Sequence, residues 1–228
     1  MARKLNIEFS DKQSEAYNFL NPMYCAKCDV IIGIGYCTND SKGRYRCPKC
    51  GAVLITREEA VELCYGGAKY GGKSWFGSDF CFLECVRLIK EYKIKRQINP
   101  IPVGFMGRKI GKDFYDTTFE TWKKAIPSSC YKIKGKPVEI IIEGRVKMFT
   151  GGLDRTETIN KFNSAELALY FLDQAEETQK DEISLLRAAT FWRLSINGRK
   201  VPGKGLLTAN PAQCWLKPEF IDVVGDNG

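Results

Sequence analysis

A glycine-rich segment, Gly67-Ala-Lys-Tyr-Gly-Gly-Lys-Ser74, constrains the fold of this 228-residue chain more than any other feature. It fits the pattern G-x-x-x-x-G-K-[S/T] and lies between a short apolar run at 60–65 and a long apolar-periodic stretch that begins at Lys73. These flanks predict a strand before the segment and a helix of roughly 18 residues after it. A strand–loop–helix unit of this kind is typical of α/β folds in which the loop encloses a phosphate group.

The residue types in this loop suit the binding of a nucleoside triphosphate. Glycines let consecutive main-chain N–H groups turn inward around a phosphate, and the start of the helix adds its dipole. Lys73 is expected to reach the β- and γ-phosphate oxygens, and Ser74 to place its hydroxyl on Mg²⁺. Lys69 is either a γ-phosphate sensor or a solvated side chain. The alternative is a glycine-rich turn without a ligand. The predicted loop comprises Gly67, Ala68, Lys69, Tyr70, Gly71, Gly72, Lys73 and Ser74.

The ten cysteines are expected to be thiols, because no segment of signal-peptide type precedes them. Four of them form two Cys-x-x-Cys pairs separated by eighteen residues, with short candidate strands at 30–36 and 43–46 between the pairs. Two such turns supply the closed tetrahedral sulfur shell of a structural Zn²⁺ in a zinc ribbon. The alternative is four unrelated core cysteines, and Cys37 is expected to be a spare thiol. The predicted zinc ligands are Cys25, Cys28, Cys47 and Cys50.

An acidic cluster follows the apolar run at 167–172 and predicts the second half of the nucleotide site. A buried parallel strand ends in such acids where it reaches the ligand-binding edge of an α/β sheet. Asp173 would hold the metal, and Glu176 or Glu177 would orient the attacking water. The alternative is an ordinary helix start with acids that complement its dipole. A third candidate strand, 205–209, ends near Asn210, where a γ-phosphate sensor could lie.

Charge and composition restrict the classes of partner and of chemistry. Residues 1–150 carry 26 lysines and arginines against 16 acids, and residues 151–228 carry 9 against 11. This distribution suits a polyanionic partner or a solvated basic surface. The chain contains no histidine, which excludes histidine bases and ligands. No apolar stretch reaches the length of a membrane span, so a soluble intracellular protein is expected.

An ordered set of segments resembles the ATPase domain of the large terminase subunits, the DNA-packaging motors of tailed double-stranded DNA bacteriophages. The set is SDKQ, GGAKYGGKS, GFMGRK, LDQAEE, LLRAATFWRL and GLLTANPAQCWLKPEFID, and the similarity covers about residues 8–24 and 55–223. The resemblance implies an α/β P-loop NTPase of the ASCE type, with a mostly parallel central sheet flanked by helices. Residues 1–24 and 52–228 would form the ATPase domain and residues 25–51 an inserted zinc ribbon, with a β-rich stretch near 131–150.

The resemblance also implies roles for individual residues. Asp173 is the Walker B acid at the position that holds magnesium, together with Ser74 of the Walker A loop. An arginine finger supplied to a neighbouring subunit is expected, and Arg155 is preferred over Arg187 and Arg193. The remaining implied contacts are Gln13 with adenine, Arg108 after the second strand, and Thr208 and Asn210 in the motif that couples hydrolysis to domain movement.

Three departures from the family pattern matter. Gln174 occupies the position of the usual Walker B glutamate, which leaves the water-activating residue open between Glu176 and Glu177, with Glu176 favoured because glutamine cannot act as a carboxylate base. The zinc ribbon is not part of the family's common core. The nuclease domain of the family has no counterpart after Asp222, so nuclease activity is not expected.

The predicted function is Mg²⁺-dependent ATP hydrolysis that powers translocation of duplex DNA into a procapsid. The implied partners are double-stranded DNA, the portal protein, the small terminase subunit and further copies of the chain in a ring. The implied location is the host cytoplasm and, transiently, the procapsid, with no membrane partner. Two alternatives stay open: a helicase-like ATPase, and a zinc-ribbon nucleic-acid-binding adaptor that holds nucleotide without turnover. The ribbon's basic residues, any of which could contact DNA or a protein partner, are Lys27, Lys42, Arg44, Arg46 and Lys49.

Overall fold

The computed structural model describes residues 7–56, 59–68 and 70–222. Its helices are α1 (Asp11–Leu20), α2 (Lys73–Glu91), α3 (Gly111–Asp113), α4 (Phe119–Ala125), α5 (Thr156–Ser164), α6 (Lys180–Thr190) and α7 (Leu216–Phe220), and a π-helical turn (Phe114–Thr118) joins α3 to α4. Its strands are β1 (Pro22–Cys25), β2 (Val30–Gly33), β3 (Thr38–Asn39), β4 (Tyr45–Arg46), β5 (Ile55–Thr56), β6 (Val61–Gly66), β7 (Ile101–Arg108), β8 (Tyr131–Lys134), β9 (Glu139–Ile142), β10 (Val146–Gly152), β11 (Leu169–Leu172), β12 (Ser195–Ile196), β13 (Arg199–Lys200) and β14 (Lys204–Ala209).

A seven-stranded sheet in the order β6-β14-β11-β7-β10-β9-β8 forms the centre of the molecule. The first five strands are parallel, and the β8–β9 hairpin adds two antiparallel strands at one edge. This arrangement confirms the predicted α/β P-loop fold with a mostly parallel sheet. Because the carboxyl ends of parallel strands share one edge of the sheet, the residues that follow β6, β11 and β14 lie together.

Helices cover both faces of this sheet, which explains why its middle strands are apolar along their whole length. On one face, α2 buries Phe76 and Phe80, and on the other face α5 and α6 pack on Phe105 and Tyr170. Helix α2 lies so close to β11 that a Cβ at Gly77 would stand 2.1 Å from the ring of Phe171. The helix that begins with the P-loop lysine is therefore seated directly on the strand that ends at the acidic cluster.

Residues 22–56 form a small unit with two sheets of their own, β2-β1-β5 and β3-β4. Its core contains Met23 and Leu54 together with the cysteine pairs. The unit reaches beyond the interval 25–51 because its three-stranded sheet includes β1, which begins at Pro22, and β5, which ends at Thr56. Helix α1 holds it through Asn18, whose side-chain oxygen accepts a 2.6 Å hydrogen bond from the main chain of Gly35. The domain boundaries themselves stay a prediction.

None of the helices in the described ranges combines the length and the apolar character that crossing a membrane requires.

Candidate nucleotide site and cysteine cluster

The glycine-rich loop connects β6 to α2 at the carboxyl edge of the sheet. Gly67 and Gly72 have φ angles of +154° and +69°, conformations that side-chain-bearing residues rarely adopt. The buried ammonium of Lys73 donates hydrogen bonds to the carbonyls of Gly67 at 2.9 Å and Ala68 at 2.7 Å, so it lies inside the curve of the loop. Lys69 lies outside the described residues.

Asp173 is the polar centre of the site. It follows β11, is 4% exposed, and accepts hydrogen bonds from three hydroxyl groups. Ser74 Oγ and Thr118 Oγ1 each lie 2.7 Å from Oδ2, and Thr208 Oγ1 lies 2.6 Å from Oδ1. Ser74 and Asp173 are thus in contact although they lie 99 positions apart in sequence. The sequence predicted that the P-loop and the acidic cluster would form two halves of one site. The hydroxyl of Ser74 and the carboxylate of Asp173 are hard oxygen donors of the kind that Mg²⁺ prefers, so this donor set fits the ion.

Thr118 carries no signal in the sequence, and its contact with Asp173 could not be foreseen. It lies at the end of the π-helical turn between α3 and α4, and its side chain is fully buried. Single π-helical turns occur frequently at functional sites because they redirect a side chain within a helix. Here the turn directs a hydroxyl group at the carboxylate of the acidic cluster.

Glu177 is engaged by the arginine that ends β7. Arg108 Nη2 donates to the two carboxylate oxygens of Glu177 at 2.9 and 3.1 Å, and its Nη1 donates to Thr117 at 3.0 Å. Burial raises the pKa of Glu177, and the charge of Arg108 opposes that rise. The Arg108–Glu177 pair therefore links the end of β7 to the acidic cluster that follows β11.

Glu176 has a different environment, with one oxygen in use and one without a partner. Its Oε1 accepts a 2.7 Å hydrogen bond from Asn210 Nδ2, which follows β14. Its Oε2 is buried and has no hydrogen-bond partner in the described part of the chain, as is also true of Gln174 Oε1. Gln174 adopts a left-handed conformation with φ of +55°. Two buried acceptors beside Asp173 can thus each take a proton donor, such as a water molecule.

Gln13 lies at the P-loop. It forms a capping box with Ser10 at the start of α1, and its Nε2 donates a 3.3 Å hydrogen bond to the carbonyl of Gly72. The first turn of α1 is thereby held against the last residue of the loop before α2.

The three candidate arginine fingers differ in their surroundings. Arg187 is engaged in ion pairs with Glu62 and Glu219 that join α6 to β6 and α7. Arg155 and Arg193 are exposed. Arg155 immediately precedes α5 and lines a small cavity with Lys161.

The four cysteines of the two Cys-x-x-Cys pairs converge within the small unit. Their sulfur atoms all lie within 4.8 Å of one another, and the sulfurs of Cys25 and Cys50 are 3.6 Å apart. Zinc–sulfur bonds of about 2.3 Å in a tetrahedron place the sulfurs just under 4 Å apart, so the cluster fits Zn²⁺. A main-chain hydrogen bond from Ala52 is the largest cause that lowers the pKa of Cys50, to about 7. Cys37 stands apart and donates to the carbonyl of Gly33.

Comparison with solved structures gives the fold a counterpart. The large terminase of a thermophilic bacteriophage matches in one crystal form with a TM-score of 0.55 and 16% identity over 96% of this chain and 43% of that chain. A second crystal form gives 0.53 and 17% over 75% and 38%, and the complex of that terminase with ADP gives 0.50 and 18% over 75% and 38%. The chain shares the fold of a phage large terminase.

Of the three comparisons with known proteins, the one with solved structures finds counterparts. No model of a protein family matches the chain, and no curated protein matches it either. The chain spans less than half the length of the terminase chains that it matches. The likeness therefore supports the architecture around the P-loop.

Proposed function

We propose that this chain is a Mg²⁺-dependent ATPase that powers the translocation of double-stranded viral DNA into a procapsid. The observation that carries the proposal is the contact between Ser74 of the P-loop and Asp173 of the acidic cluster, 2.7 Å apart. In nucleoside triphosphatases that use this loop, a hydroxyl and an acid in this relationship hold the metal that bridges the β- and γ-phosphates. The terminase fold, including a neighbour that is an ADP complex, supports a nucleotide ligand.

The residues of the loop would bind the triphosphate through main-chain N–H groups and Lys73. When bound, Mg²⁺ supplies charge neutralisation at the β- and γ-phosphate oxygens. The ammonium of Lys73 now lies on the carbonyls of Gly67 and Ala68, where it is held inside the loop until phosphate oxygens offer stronger acceptors. Gln13, beside Gly72, is proposed to contact the adenine base.

We assign the water-orienting role to Glu176. Its Oε2 is buried without a partner among the described residues, so it can accept the proton of an attacking water. Asn210 fixes its other oxygen, which orients the carboxylate. Glu177 is proposed to be a positioning residue, because its carboxylate is occupied by Arg108.

The remaining proposed contacts extend beyond one subunit. Arg155 is proposed to act on the nucleotide of a neighbouring copy, with the exposed Arg193 as the alternative, because Arg187 is engaged in ion pairs. The partners that follow from a packaging motor are duplex DNA, the portal protein and the small terminase subunit. The cysteine cluster is proposed to hold a structural Zn²⁺ in an inserted ribbon spanning 25–51, with residues 1–24 and 52–228 as the ATPase domain.

Hydrolysis of ATP by the purified chain tests the proposal directly. The wild type is expected to hydrolyse ATP with Mg²⁺, and Lys73→Ala or Asp173→Asn is expected to reduce the rate at least about 100-fold. The matched control is Lys12→Ala, an exposed lysine of α1. Absence of hydrolysis even with DNA and portal protein would favour a nucleotide-holding adaptor. Strand separation of a tailed duplex would favour a helicase, and protection of DNA inside procapsids would support the motor.

Mixing two inactive variants tests the role of Arg155. Lys73→Ala lacks the phosphate contact but keeps the arginine, and Arg155→Ala keeps an intact loop. If the arginine acts on a neighbouring copy, a mixture of the two on the portal recovers hydrolysis that neither variant shows alone. A mixture that stays inactive, or an Arg155→Ala variant with full activity on the portal, contradicts this role.

A further inference from the structure

The hairpin end of the large sheet carries a row of lysines on one face. In the register of β8, β9 and β10, Lys132 pairs with Ile141 and then Lys147, and Lys134 pairs with Glu139 and then Phe149. Paired residues of neighbouring strands point to the same side of a sheet. All of these side chains therefore share one face.

This face is the one that α5 and α6 cover further along the sheet. Phe149 pairs with Phe105 of β7, which pairs with Tyr170 of β11, and both of these rings are buried in the core beneath α5 and α6. The cover by these helices does not extend to β8, where Lys132 and Lys134 are exposed. The sheet thus presents an uncovered platform beside α5.

Four ammonium groups belong to this platform. Lys147 Nζ lies 5.4 Å and Lys161 Nζ of α5 lies 5.3 Å from the centroid of the Phe149 ring, so two cations lie over one aromatic ring. Lys147 also pairs with Glu139 at 3.2 Å. Within the described ranges, the other three lysines have no ion pair. We call this set the basic face, and its members are Lys132, Lys134, Lys147 and Lys161.

Protection of an exposed strand edge explains only part of this pattern. Lysine on an edge strand prevents pairing with other chains, and β8 is the edge of the sheet. However, Lys147 lies on β10, which is paired on both sides, and Lys161 lies on a helix. Cations on two strands and on the neighbouring helix indicate a ligand that is itself extended and negatively charged.

We propose that the basic face binds the phosphate backbone of duplex DNA, an inference that rests on the proposed packaging function. Strands about 4.8 Å apart, with lysines two residues apart at about 7 Å, form a grid of charges and not an enclosed pocket, which suits a polyanion better than a small anion. Lysine ammonium groups contact phosphates without reading base edges, so binding is independent of sequence. Because Phe149 lies under two lysines, it offers no open ring for base stacking, which favours duplex over single strands.

The salt dependence of DNA binding tests this assignment. Binding of a short labelled duplex of arbitrary sequence is measured by fluorescence anisotropy, without nucleotide, over a series of salt concentrations. Each phosphate contact contributes about 0.9 to the slope of log K against log salt, so K132A/K134A is expected to reduce the slope by about 1.8. The matched control is K93A/K95A, which removes two exposed lysines in the loop between α2 and β7 and is expected to keep the wild-type slope.

A second variant guards against an effect of the exposed edge. Lys161→Gln leaves β8 intact and is expected to reduce the slope by about 0.9. An unchanged slope in both variants, an equal loss in the control, or aggregation of K132A/K134A with an unchanged slope for Lys161→Gln would overturn the assignment. If a labelled single strand binds more tightly than the duplex, and the variants weaken both to the same extent, the choice of duplex is overturned. Wild-type DNA binding without ATP hydrolysis would contradict the proposed function and leave this assignment standing.

Discussion

Asp173 accepts a hydrogen bond from the hydroxyl of Thr208 at 2.6 Å, which ties the end of β11 to the end of β14. The contact is fully buried, and it lies opposite the oxygen that receives Ser74 and Thr118. The same carboxylate therefore touches the P-loop helix, the π-helical turn and the neighbouring strand. A change in the hydrogen-bond partners of Asp173 would therefore affect all three of these elements.

Thr208→Val is expected to lower the free energy of unfolding by about 1.5–3 kcal/mol, because a buried carboxylate loses a hydroxyl donor while the side-chain volume is kept. Thr208→Ser keeps the donor and should cost only about 1 kcal/mol for the lost methyl group. Denaturant unfolding measures both values. Equal costs for the two variants would mean that packing, and not the hydrogen bond, stabilises this position.

Glu176→Gln is expected to reduce ATP hydrolysis by about 10²- to 10⁴-fold with little change in nucleotide affinity, since it removes the proposed base and not a phosphate contact. Glu177→Gln is expected to reduce hydrolysis by less than about tenfold, because its partner Arg108 retains Thr117. Single-turnover experiments measure the rate of hydrolysis, and binding of a fluorescent nucleotide measures the affinity. A reversed order of the two variants would assign the water-orienting role to Glu177.

Zinc analysis of the purified chain is expected to give one equivalent of metal. Cys25→Ser and Cys50→Ser should lose it, whereas Cys37→Ser should retain it, because that thiol lies outside the cluster. Removing the ion with a chelator is expected to withdraw on the order of 10 kcal/mol of binding energy from the small unit. Hydrogen exchange should then accelerate in residues 22–56 before it does so in the large sheet. Full zinc content in Cys25→Ser would contradict the site.

Asp79 of α2 gives the chain a pH-dependent stability. It is 2% exposed, and burial raises its pKa from 3.8 to about 7. The folded state therefore holds a proton that the unfolded state releases, and the stability present below about pH 4 is lost as pH rises toward about 7. Asp79→Asn should be more stable than wild type by an amount that grows over this interval, to at most about 4 kcal/mol.

Unfolding by denaturant at several pH values measures this difference. Asp116→Asn, which removes an exposed carboxylate, serves as the control and should stay within about 0.5 kcal/mol of wild type. A constant difference between Asp79→Asn and wild type across the pH range would mean that folding does not raise the pKa of Asp79.

Local patterns in the sequence foretold the elements that carry the site. The expected strand at 60–65, helix from Lys73 and strand at 167–172 correspond to β6, α2 and β11, with boundaries shifted by one or two residues. These signals are strong because glycine conformations, apolar periodicity and the Cys-x-x-Cys spacing are properties of short segments. The meeting of Ser74 with Asp173 followed from them, since parallel strands end at one edge.

Contacts between distant segments were beyond the reach of such patterns. Thr118 belongs to no motif, and its contact with Asp173 depends on a π-helical turn that no residue preference predicts. The different surroundings of Glu176 and Glu177 were also beyond prediction, because their partners Asn210 and Arg108 lie 34 and 69 residues away in sequence. Only the folded sheet brings these partners beside the acidic cluster.

Helix α1 is held at both ends, by Gln13 on the carbonyl of Gly72 and by Asn18 on the main chain of Gly35. Its ten residues span about 15 Å, and a helix of this length behaves as a stiff rod. A displacement of Gly72 would therefore act on one end of α1, whose other end contacts the cysteine-bearing unit. Helix α1 thus bridges the small unit and the loop that is proposed to bind the triphosphate.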